Sequence, residues 1–229
     1  MSSVIQSVAT PFAATPRNPG YVVVEGPIGA GKTTLAHKLA QAFGSDLLLE
    51  QPDDNPFLER FYQSRAQYAL PTQLYFLFQR ARQLQAMKQG DMFRPVQVAD
   101  FLLEKDSLFA RLNLDDHEWR LYEQVYAQLS LDIPVPDLVV YLQAPVDVLM
   151  ERVRRRGKHY ERHIERDYLE SIVEGYTRFF YHYTAAPLLV VNAAEVNFVD
   201  SEPDFQMLLE HLRKVRSGRH FFNPLAVDA

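Results

Sequence analysis

The chain has no cysteine among its 229 residues, which excludes a disulfide framework and every mechanism that needs a thiol. No apolar run approaches the roughly 20 residues that a membrane helix requires. The first twenty residues lack the continuous apolar stretch of a signal peptide, so cytoplasm is the expected location. Positive charge is not in excess: 24 Lys and Arg stand against 29 Asp and Glu, a net charge of −5. A sequence-independent grip on a nucleic-acid polymer is thereby disfavoured, and small-molecule chemistry is favoured. Internal repeats and low-complexity blocks are missing too. What is present, with 47% hydrophobic residues, suits one globular domain with a substantial core.

Residues 1–20 are rich in Ser, Thr, Ala and Pro and read as a mobile tail. Short Val/Leu-rich runs then alternate with longer helical stretches. The strand candidates are Tyr21–Glu25, Leu47–Glu50, Val96–Ala99, Leu138–Leu142 and Leu188–Asn192. Between them lie helical stretches at Lys32–Phe43, about Thr72 to Lys88, Asp115–Leu129, Val146–Arg155 and Asp167–Tyr183. Pro71 suits the first turn of the second of these helices. The alternation predicts an α/β domain over residues 21–215, a parallel sheet with helices on both faces. Residues 216–229, with Gly218 and Pro224, are expected to trail across the surface.

The chemistry starts behind the first strand. Gly26-Pro27-Ile28-Gly29-Ala30-Gly31-Lys32-Thr33-Thr34 matches the phosphate-binding loop and stands in the required context of strand, Gly-rich turn and helix. Glycines let successive backbone N–H groups wrap a polyphosphate, and the helix N-terminus adds its positive end. Lys32 would reach the outer phosphates and the Thr33 hydroxyl would ligate Mg²⁺. ATP is the expected donor.

Polar residues at strand ends are the next candidates, because strand ends converge on the ligand crevice in such sheets. Glu50, in L-L-L-E-Q-P, could take the proton of an attacking hydroxyl or be a solvated strand-end acid. Asp100, in V-Q-V-A-D, could hold Mg²⁺ or cap a helix before Phe101-Leu102-Leu103. The basic run from Arg152 to Lys158 could be a solvated helix face, or a lid that hinges at Gly157 over the phosphates. His159 and His163 have helical spacing without the H-E-x-x-H pattern; both are expected at the surface, and no structural metal is expected. In P-T-Q-L-Y-F-L-F-Q-R, most aromatics suit a core, but Gln73 and Arg80 share a face among apolar neighbours. A nucleobase edge would satisfy them, since an amide donates and accepts at once.

Assembled in order, the phosphate loop, E-Q-P-D-D-N-P-F-L-E-R-F-Y, P-T-Q-L-Y-F-L-F-Q-R and Y-L-Q-A-P…E-R-V-R-R-R-G-K resemble the deoxynucleoside kinase family. The likeness is to its bacterial deoxyadenosine/deoxyguanosine kinase-like branch, from about Tyr21 to Asn192. The resemblance implies a P-loop kinase fold with a five-stranded parallel sheet of order 2-3-1-4-5 and a short Arg-rich lid. It also implies a homodimer, through the long helices near Thr72–Lys88 and Asp115–Leu129, and phosphorylation of the 5′-hydroxyl of a deoxynucleoside in salvage. By position, Glu50 matches the general base, Tyr62 a ligand of the sugar 3′-hydroxyl, Gln73 the base-reading amide, and Arg80 an arginine that orients acid and base. Glu161 matches a second 3′-hydroxyl ligand, Arg152 and Arg156 lid arginines on the donor phosphates, and Phe76 and Phe101 walls for the stacked base. One departure stands out. Many members carry an acid-Arg-Ser triplet after the third strand, whereas this chain has Ala99-Asp100-Phe101, so Asp100 could replace the acid while the arginine is absent. Lys105 occupies a place where some members hold a base-contacting Asp, so base preference does not carry over.

Two other functions compete. A monophosphate kinase acting on thymidylate would need an arginine for the acceptor phosphate, which a carboxylate such as Glu50 would repel. A non-catalytic nucleotide-binding module is motivated by the missing arginine and opposed by Lys32, Thr33 and Glu50, since binding alone needs no base.

Overall fold

The computed structural model describes residues 19–89, 97–129 and 134–223. Val96 and nearly all of the expected N-terminal tail lie outside them, as do the last six residues. Six parallel strands form one sheet in the order β2-β3-β1-β4-β5-β6. They are β1 Tyr21–Glu25, β2 Asp46–Leu48, β3 Gln97–Ala99, β4 Leu138–Gln143, β5 Leu188–Asn192 and β6 Arg219–Phe222. The central strand explains why the sheet needs covers on both sides. Val22, Val23 and Val24 are successive, so they face opposite sides, and all three are fully buried.

Eight α-helices supply those covers among the described residues. They are α1 Lys32–Phe43, α2 Leu58–Gln63, α3 Arg65–Gln89, α4 Lys105–Asn113, α5 Asp116–Gln128, α6 Val146–Arg156, α7 Arg166–His182 and α8 Glu202–Leu212. Helix α5 begins with a complete capping box, Asp115 accepting from the Glu118 N–H while the Glu118 carboxylate accepts from the Asp115 N–H. Helix α7 packs on the sheet through aromatics: Tyr176 stacks on Tyr141 of β4, with ring centroids 6.0 Å apart. None of the helices among the described residues is long and apolar enough to cross a membrane.

The core order 2-3-1-4-5 is as expected, and the sheet then continues. Residues 219–222, expected to trail across the surface, form β6 in parallel register with β5, Leu188 to Arg219 through Val191 to Phe222. The cause is the edge of β5, whose backbone N–H and C=O groups need partners that a surface loop would not supply. Phe222, 9% exposed, adds apolar burial against the His211 ring. Helix α3 also differs, starting at Arg65 so that Pro71 lies inside it. A proline there removes one N–H from the ladder, and burial of the preceding turn, with Ala69 fully enclosed, outweighs that loss. Strand β2 stops at Leu48, which leaves Glu50 in the loop beyond it.

Candidate active site

Strand β1 is the switch point of the sheet: β3 lies on one side of it and β4 on the other. The phosphate loop leaves its carboxyl end. Gly29 (φ 86°) and Gly31 (φ 98°) hold left-handed backbone that other residues adopt only with strain. A Cβ at Gly29 would meet the Leu149 carbonyl oxygen at 2.8 Å. Gly31 is also the N-cap of α1 and offers no side-chain cap, so the first N–H groups of that helix are left for another acceptor. The Lys32 ammonium lies across the loop, donating to the Gly26 carbonyl at 2.9 Å and the Pro27 carbonyl at 3.3 Å. Burial lowers its pKa from the ordinary lysine value, as does the nearby Lys105.

Asp100 follows β3 directly and joins two segments. Its Oδ2 accepts from the Thr33 hydroxyl at 2.6 Å and its Oδ1 from the Glu50 N–H at 2.7 Å. It caps no helix; α4 starts five residues later. Burial raises its carboxyl pKa although both hydrogen bonds act against that. The hydroxyl and carboxylate make a hard oxygen pair of the kind that, with substrate phosphates and water, suits Mg²⁺.

Glu50 is placed by α3 rather than by its own strand. Gln79 and Gln83 donate to the Gln51 and Leu49 carbonyls at 3.1 and 2.8 Å, on either side of it. Arg80, one residue past Gln79, binds the carboxylate itself through Nε at 2.9 Å and through Nη2. Arg80 also pairs with Asp106 at 2.7 Å. Lys105 approaches Glu50 at 3.6 Å and Glu25 at 3.1 Å. Burial alone would raise the Glu50 carboxyl; the charges of Arg80, Lys105 and Lys32 outweigh it and hold the group at about 2.

Between these groups and the lid opens a cleft of about 120 Å³. Tyr62 from α2, Gln73, Phe76 and Arg80 from α3, and Phe109 from α4 line it. Lys32, Thr33, Glu50, Asp100 and Lys105 line it as well, as do Arg156, Tyr160 and Glu161 of the lid. The lid is a short 3₁₀ helix, His159–His163, after α6. Arg156 donates from Nε to Glu161 at 3.0 Å, and the Tyr160 hydroxyl donates to Asp53 at 2.8 Å, tying the lid to the turn behind Glu50. The Tyr62 and Tyr160 rings lie parallel, 6.3 Å apart. Burial raises the Tyr62 pKa, so its hydroxyl stays protonated and can donate.

Two expected residues lie elsewhere. Phe101 is fully buried and lines no part of the cleft, because the chain after Asp100 dives into the core; Phe109, further along, is among the rings that line it. Arg152 is outside the lining, its guanidinium donating to the Ala193 carbonyl at 2.7 Å. His159 and His163 are exposed, and His159 sits 3.3 Å from Glu59. Of the charged run Glu104-Lys105-Asp106, only Lys105 is singled out by the sequence, through the family resemblance, and Asp106 is passed over. Lys105 is 2% exposed and Asp106 not at all.

The fold and this cleft define a P-loop phosphotransferase with a polar and aromatic cleft beside its phosphate loop. A model of the deoxynucleoside kinase family matches residues 22–216, and the chain belongs to that family, on its bacterial branch. A deoxyguanosine kinase from Bacillus subtilis (strain 168) is 32% identical over 204 residues, 85% of this chain and 97% of the relative. A deoxyadenosine kinase from Lactobacillus acidophilus is 28% identical over 193 residues, 78% and 87% of the two chains. Among solved structures, deoxyadenosine kinase from M. mycoides with bound dATP superposes with TM-score 0.74 at 24% identity, covering 85% of this chain and 100% of that one, a likeness of fold.

Proposed function

We propose that this enzyme transfers the γ-phosphate of ATP to the 5′-hydroxyl of a purine deoxynucleoside, as a cytoplasmic salvage step. The observation that carries the reading is Glu50, a carboxylate kept ionised between the phosphate loop and the nucleoside cleft. Glu50 takes the proton of the 5′-hydroxyl as that oxygen attacks the γ-phosphorus and the bond to the ADP bridging oxygen breaks. Lys32 and Arg156 stabilise the charge on the transferring group. Thr33 and Asp100 would hold Mg²⁺, which when bound offsets the negative charge of the donor phosphates. Gln73 reads the base edge against Phe76, while Tyr62 and Glu161 bind the sugar. The relatives' substrates support a purine. The long helices α3 and α5, which expose Phe78 and Leu121, are the proposed contact of a homodimer, which a sizing column tests.

The test is phosphorylation of the four common deoxynucleosides by ATP and Mg²⁺, with thymidylate as a fifth acceptor. Transfer to deoxyadenosine or deoxyguanosine is expected. Transfer to thymidylate alone would remove Glu50 from its role and move the chain to the monophosphate kinases. No transfer to any acceptor would leave a nucleotide-binding module.

A further inference from the structure

One buried cation has no part in that mechanism. Lys105 sits on α4 with 2% exposure, wedged between two carboxylates on different elements. Its ammonium is 3.1 Å from Glu25 Oε1 and 3.6 Å from Glu50 Oε1. A buried ammonium is costly unless paired, so the position of the carboxylates dictates where it rests.

Glu25 is fully buried at the end of β1 and has four partners on four segments. Its Oε1 accepts from the Leu102 N–H at 2.6 Å and meets Lys105; its Oε2 accepts from the Gly26 N–H at 3.0 Å and the Tyr176 hydroxyl at 2.9 Å. One carboxylate therefore ties the first residue of the phosphate loop to the ammonium that approaches Glu50. On the other side, the contacts of Arg80 and of Lys105 with Glu50 all fall on Oε1. That leaves Oε2 for the substrate hydroxyl.

We infer that Lys105, anchored by Glu25, is a positioning residue for the base: with Arg80 it pins Glu50 Oε1, so that Oε2 is presented to the acceptor at a fixed distance from the phosphate loop. The inference rests on the kinase reading above. Loss of this hold lets the carboxylate turn among rotamers, and misplacement of a base lowers turnover far more than binding.

The test compares wild type with Lys105→Arg, Lys105→Met and the double variant Glu25→Gln/Lys105→Met, which removes both charges and so avoids stranding a buried carboxylate. Purine deoxynucleoside turnover, KM, nucleoside binding by calorimetry and thermal unfolding are measured on each. The expected result is a fall in kcat of about tenfold to a hundredfold in the double variant. Because Lys105 also lines the cleft, the fall in kcat is expected to exceed any change in nucleoside affinity and KM, and Lys105→Arg recovers most of the loss. A folded double variant with wild-type kcat overturns the inference and leaves the kinase reading standing. Loss of kcat that tracks loss of stability, with no recovery by arginine, makes Lys105 a folding residue and also overturns it. A wild-type enzyme that phosphorylates no deoxynucleoside overturns both, since there is then no base to position.

Discussion

Replacing Glu50 by glutamine keeps the length of the side chain and removes the charge that Arg80 and Lys105 hold. Glu50→Gln is expected to bind nucleoside nearly as wild type does and to lose about a hundredfold to ten-thousandfold in kcat, read by steady-state kinetics beside calorimetry. Full turnover would mean that another group takes the proton. The same carboxylate makes a pH prediction for stability. Its pKa is about 2 in the folded protein against an ordinary value of 4.5, so its contribution is present above the ordinary value and disappears as pH falls through about 2. That contribution is on the order of 3 kcal/mol at neutral pH. Asp100 and Asp106, raised by burial, act in the opposite sense, so the difference from Glu50→Gln is the useful quantity. Denaturant unfolding of both proteins at about pH 6 and about pH 3 should show the gap between them narrowing on acidification. A constant gap would contradict the hold of the surrounding cations.

At the scale of elements, the phosphate loop and α1 form one device. Gly31 ends the loop in left-handed backbone (φ 98°), and a Cβ there would stand 3.1 Å from the Phe198 ring. Gly31→Ala therefore faces both backbone strain and a packed aromatic. About 1–2 kcal/mol of stability should be lost, with a raised KM for ATP because the N–H groups of the loop no longer aim together. Thermal unfolding and ATP titration check this, and unchanged values for both would show that the loop tolerates a side chain. Helix α3 works differently. Its residues Gln73, Phe76, Gln79, Arg80 and Gln83 fall on neighbouring turns, so one helix both shapes the cleft and holds the loop carrying Glu50. A helix is stiff over that length, which is how the acceptor pocket and the base keep a common frame.

For the whole molecule, β6 decides whether the sheet ends at β5. Phe222 is 9% exposed and packs on His211 of α8. Phe222→Ala should cost about 3 kcal/mol in denaturant unfolding with kcat little changed, since β6 lies at the far edge from the cleft. A cost under about 1 kcal/mol would mean that β6 adds little to the cooperative unit.

Features carried by contiguous residues were legible without coordinates. The phosphate loop, α1 and the central strands are local patterns of glycine spacing and apolar periodicity, and local geometry dictates them. Glu50, Gln73 and Arg80 were legible as candidates by the same logic and by the family resemblance. The partners of charged groups were not. Whether Lys105 and Asp106 point to solvent or into a cleft depends on Glu25, Glu50 and Arg80 arriving from strands and helices far along the chain. The same holds for Phe109 facing the cleft in place of Phe101, and for Arg219–Phe222 finding an open strand edge. The amino-acid order determined the kinase frame because backbone conformation and periodicity are short-range. Only the tertiary structure decided which cation stands beside the base, because the energy of a buried charge is set by whichever distant neighbours enclose it.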